Sequence, residues 1–97
     1  MSISELDRPR IKVDFNEMID KDLIFLSQTD IRIDSSGKSI TLESGLQVYI
    51  YEYNKYDDGQ EEMFMAAGVV ELHDKVINKN VKWCCRVNSD GISTTYS

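Results

Sequence analysis

Leu46-Gln47-Val48-Tyr49-Ile50-Tyr51-Glu52-Tyr53 is the stretch that decides the fold class. Leu46, Val48 and Ile50 fall on one side of an extended chain, and Tyr49, Tyr51 and Tyr53 on the other. That is the two-residue period of a strand, not the period of about 3.6 of a helix. The residues are also β-branched and aromatic, the types that suit a pleated surface. Two later stretches carry the same chemistry. Residues 63–73 centre on Val69-Val70 and hold Gly68, where an interior glycine marks a bulge or a tight bend. Residues 81–87 place Val81, Trp83, Cys85 and Val87 on one face and Lys82, Cys84 and Arg86 on the other. We expect Trp83, Val69, Val48 and Ile50 to meet in one core.

Working outward, Ile11, Val13 and Phe15 alternate with Lys12 and Asp14 as a short strand. Asp14-Phe15-Asn16-Glu17 has the form of a capping box, and a helical turn through Met18 and Ile19 is expected after it. Leu23-Ile24-Phe25-Leu26 is an apolar run suited to a buried strand. Ile31 and Ile33, then Ile40 and Leu42, alternate with polar residues around Asp34-Ser35-Ser36-Gly37, a turn by composition. Ser44-Gly45 breaks the chain before the tyrosine strand, and Asp57-Asp58-Gly59 must reverse it afterwards. Residues 74–80 read as a polar loop. Asn88-Ser89-Asp90-Gly91 is a turn before a short closing strand over 92–95. Short strands separated by turn signals indicate a small sandwich or barrel.

The chain has 97 residues, enough for one core and no second. Residues 1–10 are polar, carry the only proline, Pro9, and read as a flexible N-terminal arm; 11–97 read as a single β-barrel domain. The formal net charge is −6, and the Lys and Arg residues are scattered. A diffuse acidic surface repels phosphate backbones, so no nucleic-acid partner is expected. No stretch approaches the ~18 apolar residues of a membrane span, and the first residues lack the basic and apolar regions of a secretory signal. The expected setting is cytoplasmic, with no membrane partner.

Three sets of residues together resemble a known family. They are Asp14-Phe15-Asn16-Glu17 with Leu26-Ser27-Gln28-Thr29-Asp30; Glu43-Ser44-Gly45-Leu46 with Gly68-Val69-Val70-Glu71; and Val81-Lys82-Trp83-Cys84-Cys85-Arg86 with Asp90-Gly91-Ile92. The family consists of small uncharacterised bacterial proteins, some carried on mobile gene cassettes, and the Lys-Trp-Cys-Cys-Arg string is the most specific element of the likeness. The resemblance implies an SH3-like barrel, in keeping with five to six antiparallel strands. It implies no activity and no catalytic residues.

The residues themselves offer few chemical constellations. Cys84 and Cys85 are the only cysteines and His73 the only histidine. Neighbouring cysteines sit closer than a disulfide prefers, and their side chains diverge in a strand, so two free thiols are expected. A zinc site wants about four ligands, so no metal and no cofactor are expected. Nucleophilic catalysis by Cys84 with His73 and Asp74 lacks any spacing signature. An EF-hand reading with Gly59 at the central glycine leaves Met65 where the bidentate acid belongs, so it fails. The remaining candidates are Tyr49, Tyr51, Tyr53 and Tyr56. Tyrosines in a row form a binding platform for a peptide or a second copy, or else pack as part of the structure. The expected function is a non-catalytic interaction module. A small-ligand or peptide-binding accessory protein and a thiol enzyme using Cys84 are the alternatives.

Overall fold

The computed structural model of the chain describes residues 6–73 and 82–96. Among these residues the protein is all-β, with strands β1 (Ile11–Lys12), β2 (Met18–Asp20), β3 (Leu23–Ser27), β4 (Ile31–Ile33), β5 (Ser39–Thr41), β6 (Gln47–Lys55), β7 (Glu61–Leu72), β8 (Trp83–Val87) and β9 (Ser93–Tyr96). No described helix is long and apolar enough to cross a membrane. The main sheet runs β1-β6-β7-β8-β3-β2 and is open, with β1 and β2 at its ends; β4 and β5 form a separate hairpin. The expected strands 31–33 and 40–42 therefore make a sheet of their own rather than extending the main one. The expected loop at 74–80 and Val81 lie outside the described residues.

β7 organises the sheet. It pairs antiparallel with β6 along nine register pairs, from Gln47↔Val69 to Lys55↔Glu61. On its other edge, its first half carries β9 and its second half carries β8. Gly68 opens the β8 half, opposite Val87. Its register with β6 and β8 is regular, so the glycine makes no bulge there. It permits a close approach instead: a Cβ at this position would lie 2.1 Å from the Arg86 carbonyl oxygen.

One face of this sheet is the core. Ile24, Ile50, Val70 and Cys85 are fully buried, and Ile11, Leu26, Val48, Trp83 and Val87 join them. Trp83, Val48 and Ile50 do meet as expected, but Val69 does not, and is 39% exposed. Gly68 and Val70 take the core positions of β7. Val69, one residue off, points to the other face opposite Gln47 and Arg86, because a strand's side chains alternate. The Trp83 indole N–H donates to Asp30 Oδ1 at 3.0 Å, which satisfies the buried ring's only polar atom.

Two local expectations change. After Asp14-Phe15-Asn16-Glu17 there is no helical turn. Asp14 caps a tight turn, its carboxylate accepting from Asn16 N and its carbonyl from Glu17 N, and Met18 then enters β2. The Ile11 strand is also not antiparallel: β1 pairs parallel with β6, Ile11 with Ile50 and Lys12 with Tyr51. Of residues 1–10, 1–5 lie outside the described residues, whereas Arg10 is buried in the packed domain. Its N–H donates to Ser35 Oγ and its carbonyl accepts from Ser35 N.

Cys84 and Cys85 are free thiols, both fully buried. Cys85 packs in the core, and Cys84 lies on the opposite face, across from Phe25 and Glu71. Burial pushes Cys84 up to about 11 and Cys85 up to about 12. The folded state thus holds both protons more tightly than the unfolded chain does. This contribution to stability is intact below about pH 8.5, the ordinary thiol range, and is lost as pH rises toward the folded values. We expect the urea midpoint to fall between about pH 9 and about pH 11, and iodoacetamide to leave both thiols unmodified in native protein at neutral pH. Rapid native labelling of either thiol, read by intact mass, contradicts this.

Candidate functional site

The second face of the sheet carries the tyrosines. Tyr49, Tyr51 and Tyr53 project from β6 on the side away from Val48 and Ile50, opposite Ala67, Met65 and Met63 of β7. All three are half-buried. Along this row runs the segment that enters β1. Parallel pairing sets Lys12 beside Tyr51, and Arg8 lies over the Tyr49 ring at 4.4 Å from its centroid. The turn between β4 and β5 closes the far wall through Ser35 and Ser36. The result is a groove of about 540 Å³ lined by Leu6, Arg8, Pro9, Lys12, Ser35, Ser36, Tyr51 and Tyr53.

Arg10 builds this wall rather than facing the groove. Its side chain is 9% exposed. Its guanidinium donates to the Ile50 and Ala66 carbonyls, each at 3.3 Å, and makes a two-point contact with Asp7 at 3.0 and 3.3 Å. A guanidinium has five donors and no acceptor, so a site with four acceptors suits it. The Arg10 hydrogen bond holds the Asp7 carboxyl below its usual range. Arg32 acts similarly on the other side of β1, donating to the carbonyls of Leu26 and, at 2.7 Å, Lys12. These two arginines fix the course of the segment and so the width of the groove.

Electrostatically the groove departs from the molecule as a whole. The chain carries −6, yet the charged lining side chains are Arg8 and Lys12. Three carboxylates stand against lining residues, one of them Asp34, which accepts from the Ser36 hydroxyl at 2.6 Å. Asp7 lies 3.5 Å from Arg8, and Glu61 accepts from the Tyr53 hydroxyl at 2.7 Å. That hydrogen bond raises the Tyr53 phenol above its ordinary value, since the phenolate would face an anion.

The structure therefore brings together Tyr51 and Tyr53 as groove walls, with Tyr49 beside them under Arg8. It does not bring Tyr56 to them. Tyr56 lines a separate cleft with Phe15, Glu52, Asn54, Glu62 and Phe64, and its hydroxyl is bonded to Glu62. In that cleft Asn54 bridges Glu52 and Glu62 at 3.3 Å each, and Phe15 meets Phe64 edge to face. Reading the cations as scattered missed Arg8, Arg10 and Lys12. The available signal was their spacing, every second residue through Arg8-Pro9-Arg10-Ile11-Lys12, which in extended chain gathers them on one side.

No cluster of three or more His, Cys, Asp or Glu side chains among the described residues is arranged to hold a metal ion. His73 is partly buried, with its Nε2 lacking a hydrogen-bond partner among the described residues; Asp74, its nominal orienting acid, lies outside them. Cys84 is fully buried with its proton held tightly, the opposite of an activated nucleophile. The chain matches no protein-family model, no curated protein and no solved structure.

Proposed function

We propose that this protein is a non-catalytic interaction module that receives an extended protein segment on the tyrosine face of β6. The observation that supports this reading is the groove itself. Half-buried tyrosine rings form one wall, and a segment anchored by Arg10 and Arg32 forms the other. Rigid aromatic rings offer contact area at low entropic cost, and grooves of this kind receive extended peptides. The SH3-like barrel and the likeness to the cassette-borne bacterial family belong to the same proposal. A long β7 that exchanges β9 for β8 along one edge is in keeping with the first, and the Lys82-Trp83-Cys84-Cys85-Arg86 string with the second. A cytoplasmic setting is proposed on the two reduced cysteines.

Random-peptide phage display on the wild type and on Tyr51→Ser/Tyr53→Ser tests the reading. We expect a peptide family enriched on the wild type and bound about tenfold or more weakly by the variant. The variant should still unfold cooperatively in urea. No enrichment, from a protein that also stays monomeric on sedimentation at high concentration, overturns the module reading.

A further inference from the structure

Resting on the module reading, we propose that the occupant of the groove is an acidic, extended segment of a partner protein, with Arg8 and Lys12 reading its carboxylates. Three features of the site select this chemistry. The charged lining groups are both cations, and of the lining hydroxyls those of Ser36 and Tyr53 already donate to Asp34 and Glu61, so Ser35 and Tyr51 are the ones that face a ligand carboxylate or backbone carbonyl. Lys12 is exposed, and Arg8 keeps about half its side chain in solvent, so both have donors left for a ligand. The geometry also sets a spacing. Arg8 and Lys12 are four residues apart in sequence, at most about 13 Å along extended chain. An extended ligand with carboxylates two to four residues apart spans that distance.

Charge range separates this occupant from a nucleic acid. At physiological salt, fields decay within about 8 Å. A short acidic peptide seated on Arg8 and Lys12 therefore meets, besides these two cations, the adjoining Asp7, Asp34 and Glu61, whereas a long polyanion also meets the acidic surface beyond them. The shape of the chain's own acidic turn separates it from a second copy. Asp57 and Asp58 sit in a closed reversal, with Tyr56 N donating to the Gln60 carbonyl, Gly59 N to the Tyr56 carbonyl, and Asp58 Oδ1 accepting from Gln60 N. That compact turn does not offer the extended strand that the groove fits.

The test uses the full chain and three fluorescein-labelled probes: a short peptide of alternating Glu and Thr, its Lys-Thr counterpart, and a thymidine oligonucleotide of equal length. By fluorescence anisotropy, the Glu-Thr peptide should bind at least about tenfold more tightly than either of the others. Its affinity should fall steeply as added salt shortens the screening length from about 10 Å to about 3 Å. Lys12→Glu, an exposed site outside the core, should weaken binding about tenfold or more, and Arg8→Ala/Lys12→Ala should abolish it. The near-ultraviolet circular dichroism of both variants should match the wild type. Equal binding of the Glu-Thr and Lys-Thr peptides, or an affinity indifferent to Lys12→Glu, overturns the proposal. Tighter binding of the oligonucleotide overturns it in favour of a nucleic-acid groove. If display instead enriches neutral peptides whose binding depends on Tyr51 and Tyr53, the acidic assignment fails and the module reading stands.

Discussion

Trp83→Ala is expected to lower the stability of the fold by about 3–5 kcal/mol, the range for deleting a large core aromatic. The ring starts β8, where it faces Leu72 of β7 and Ser27 of β3, and it is only 9% exposed. Truncation empties the space between these strands and the apolar residues packed on the same face. It also removes the donor that, together with Lys82 at 2.6 Å, holds the Asp30 carboxylate. Those two groups keep the Asp30 carboxyl below its ordinary value, Lys82 making the larger contribution. A domain of this size is stable by about 5–15 kcal/mol in total, so the loss is a large fraction of the whole. Trp83→Phe, which keeps most of the volume and loses the hydrogen bond, should cost less than Trp83→Ala. Urea unfolding followed by far-ultraviolet circular dichroism measures both variants, since Trp83 is the only tryptophan and its fluorescence goes with it. A loss under about 1 kcal/mol for Trp83→Ala would place the ring on the surface and refute the assignment of strand faces.

Gly68→Ala should be comparably damaging, by about 3 kcal/mol or more, although it adds a single methyl group. Elsewhere in a strand, replacing glycine by alanine gains about 0.5–1 kcal/mol through lost chain entropy. At Gly68 the sign reverses. The new Cβ would lie 2.1 Å from the Arg86 carbonyl oxygen, 2.8 Å from its carbon and 2.9 Å from Cys85 Sγ. The first two are backbone atoms that no rotamer change can move aside, so β8 must separate from β7 where their ladder begins. Overpacking generally costs about 1–3 kcal/mol, and a clash with backbone belongs at or above the top of that range. Equilibrium unfolding in urea gives the size of the effect, and amide exchange along 83–87 shows where it falls. A Gly68→Ala protein as stable as the wild type would mean that β7 and β8 do not meet in this register.

Much of the strand pattern was legible because it follows from local chemistry. β6 announces itself in the strict alternation from Val48 to Tyr53, β3 in the apolar run at Leu23, and β8 in Trp83, Cys85 and Val87. Four turns were visible as glycines that the backbone requires there: Gly37, Gly45, Gly59 and Gly91 all have positive φ, between 72° and 89°. The failures share one cause. Val69 and Val70 are chemically alike, and which of them faces inward depends on the register that β7 takes against β6. Met18 and Ile19 are compatible with a helical turn in isolation, yet Met18 pairs with Ile24.

The sequence by itself determined the class of this protein: an all-β domain, with a tyrosine row on one face of its best strand and an aliphatic row on the other. Side-chain alternation is a property of the extended chain, and it holds whatever the strand packs against. Only the tertiary structure decided that β1 pairs parallel with β6. That pairing lays Arg8 and Lys12 along Tyr49, Tyr51 and Tyr53, while Tyr56 goes to another cleft with Glu62. The pairing joins residues about forty positions apart in the chain, Ile11 with Ile50. It rests on Arg10, whose guanidinium reaches the Ile50 and Ala66 carbonyls once those strands have already met. Arg8 and Lys12 are near neighbours in the chain, and they line a groove with the tyrosine row only when long-range hydrogen bonds of this kind lay their segment along β6.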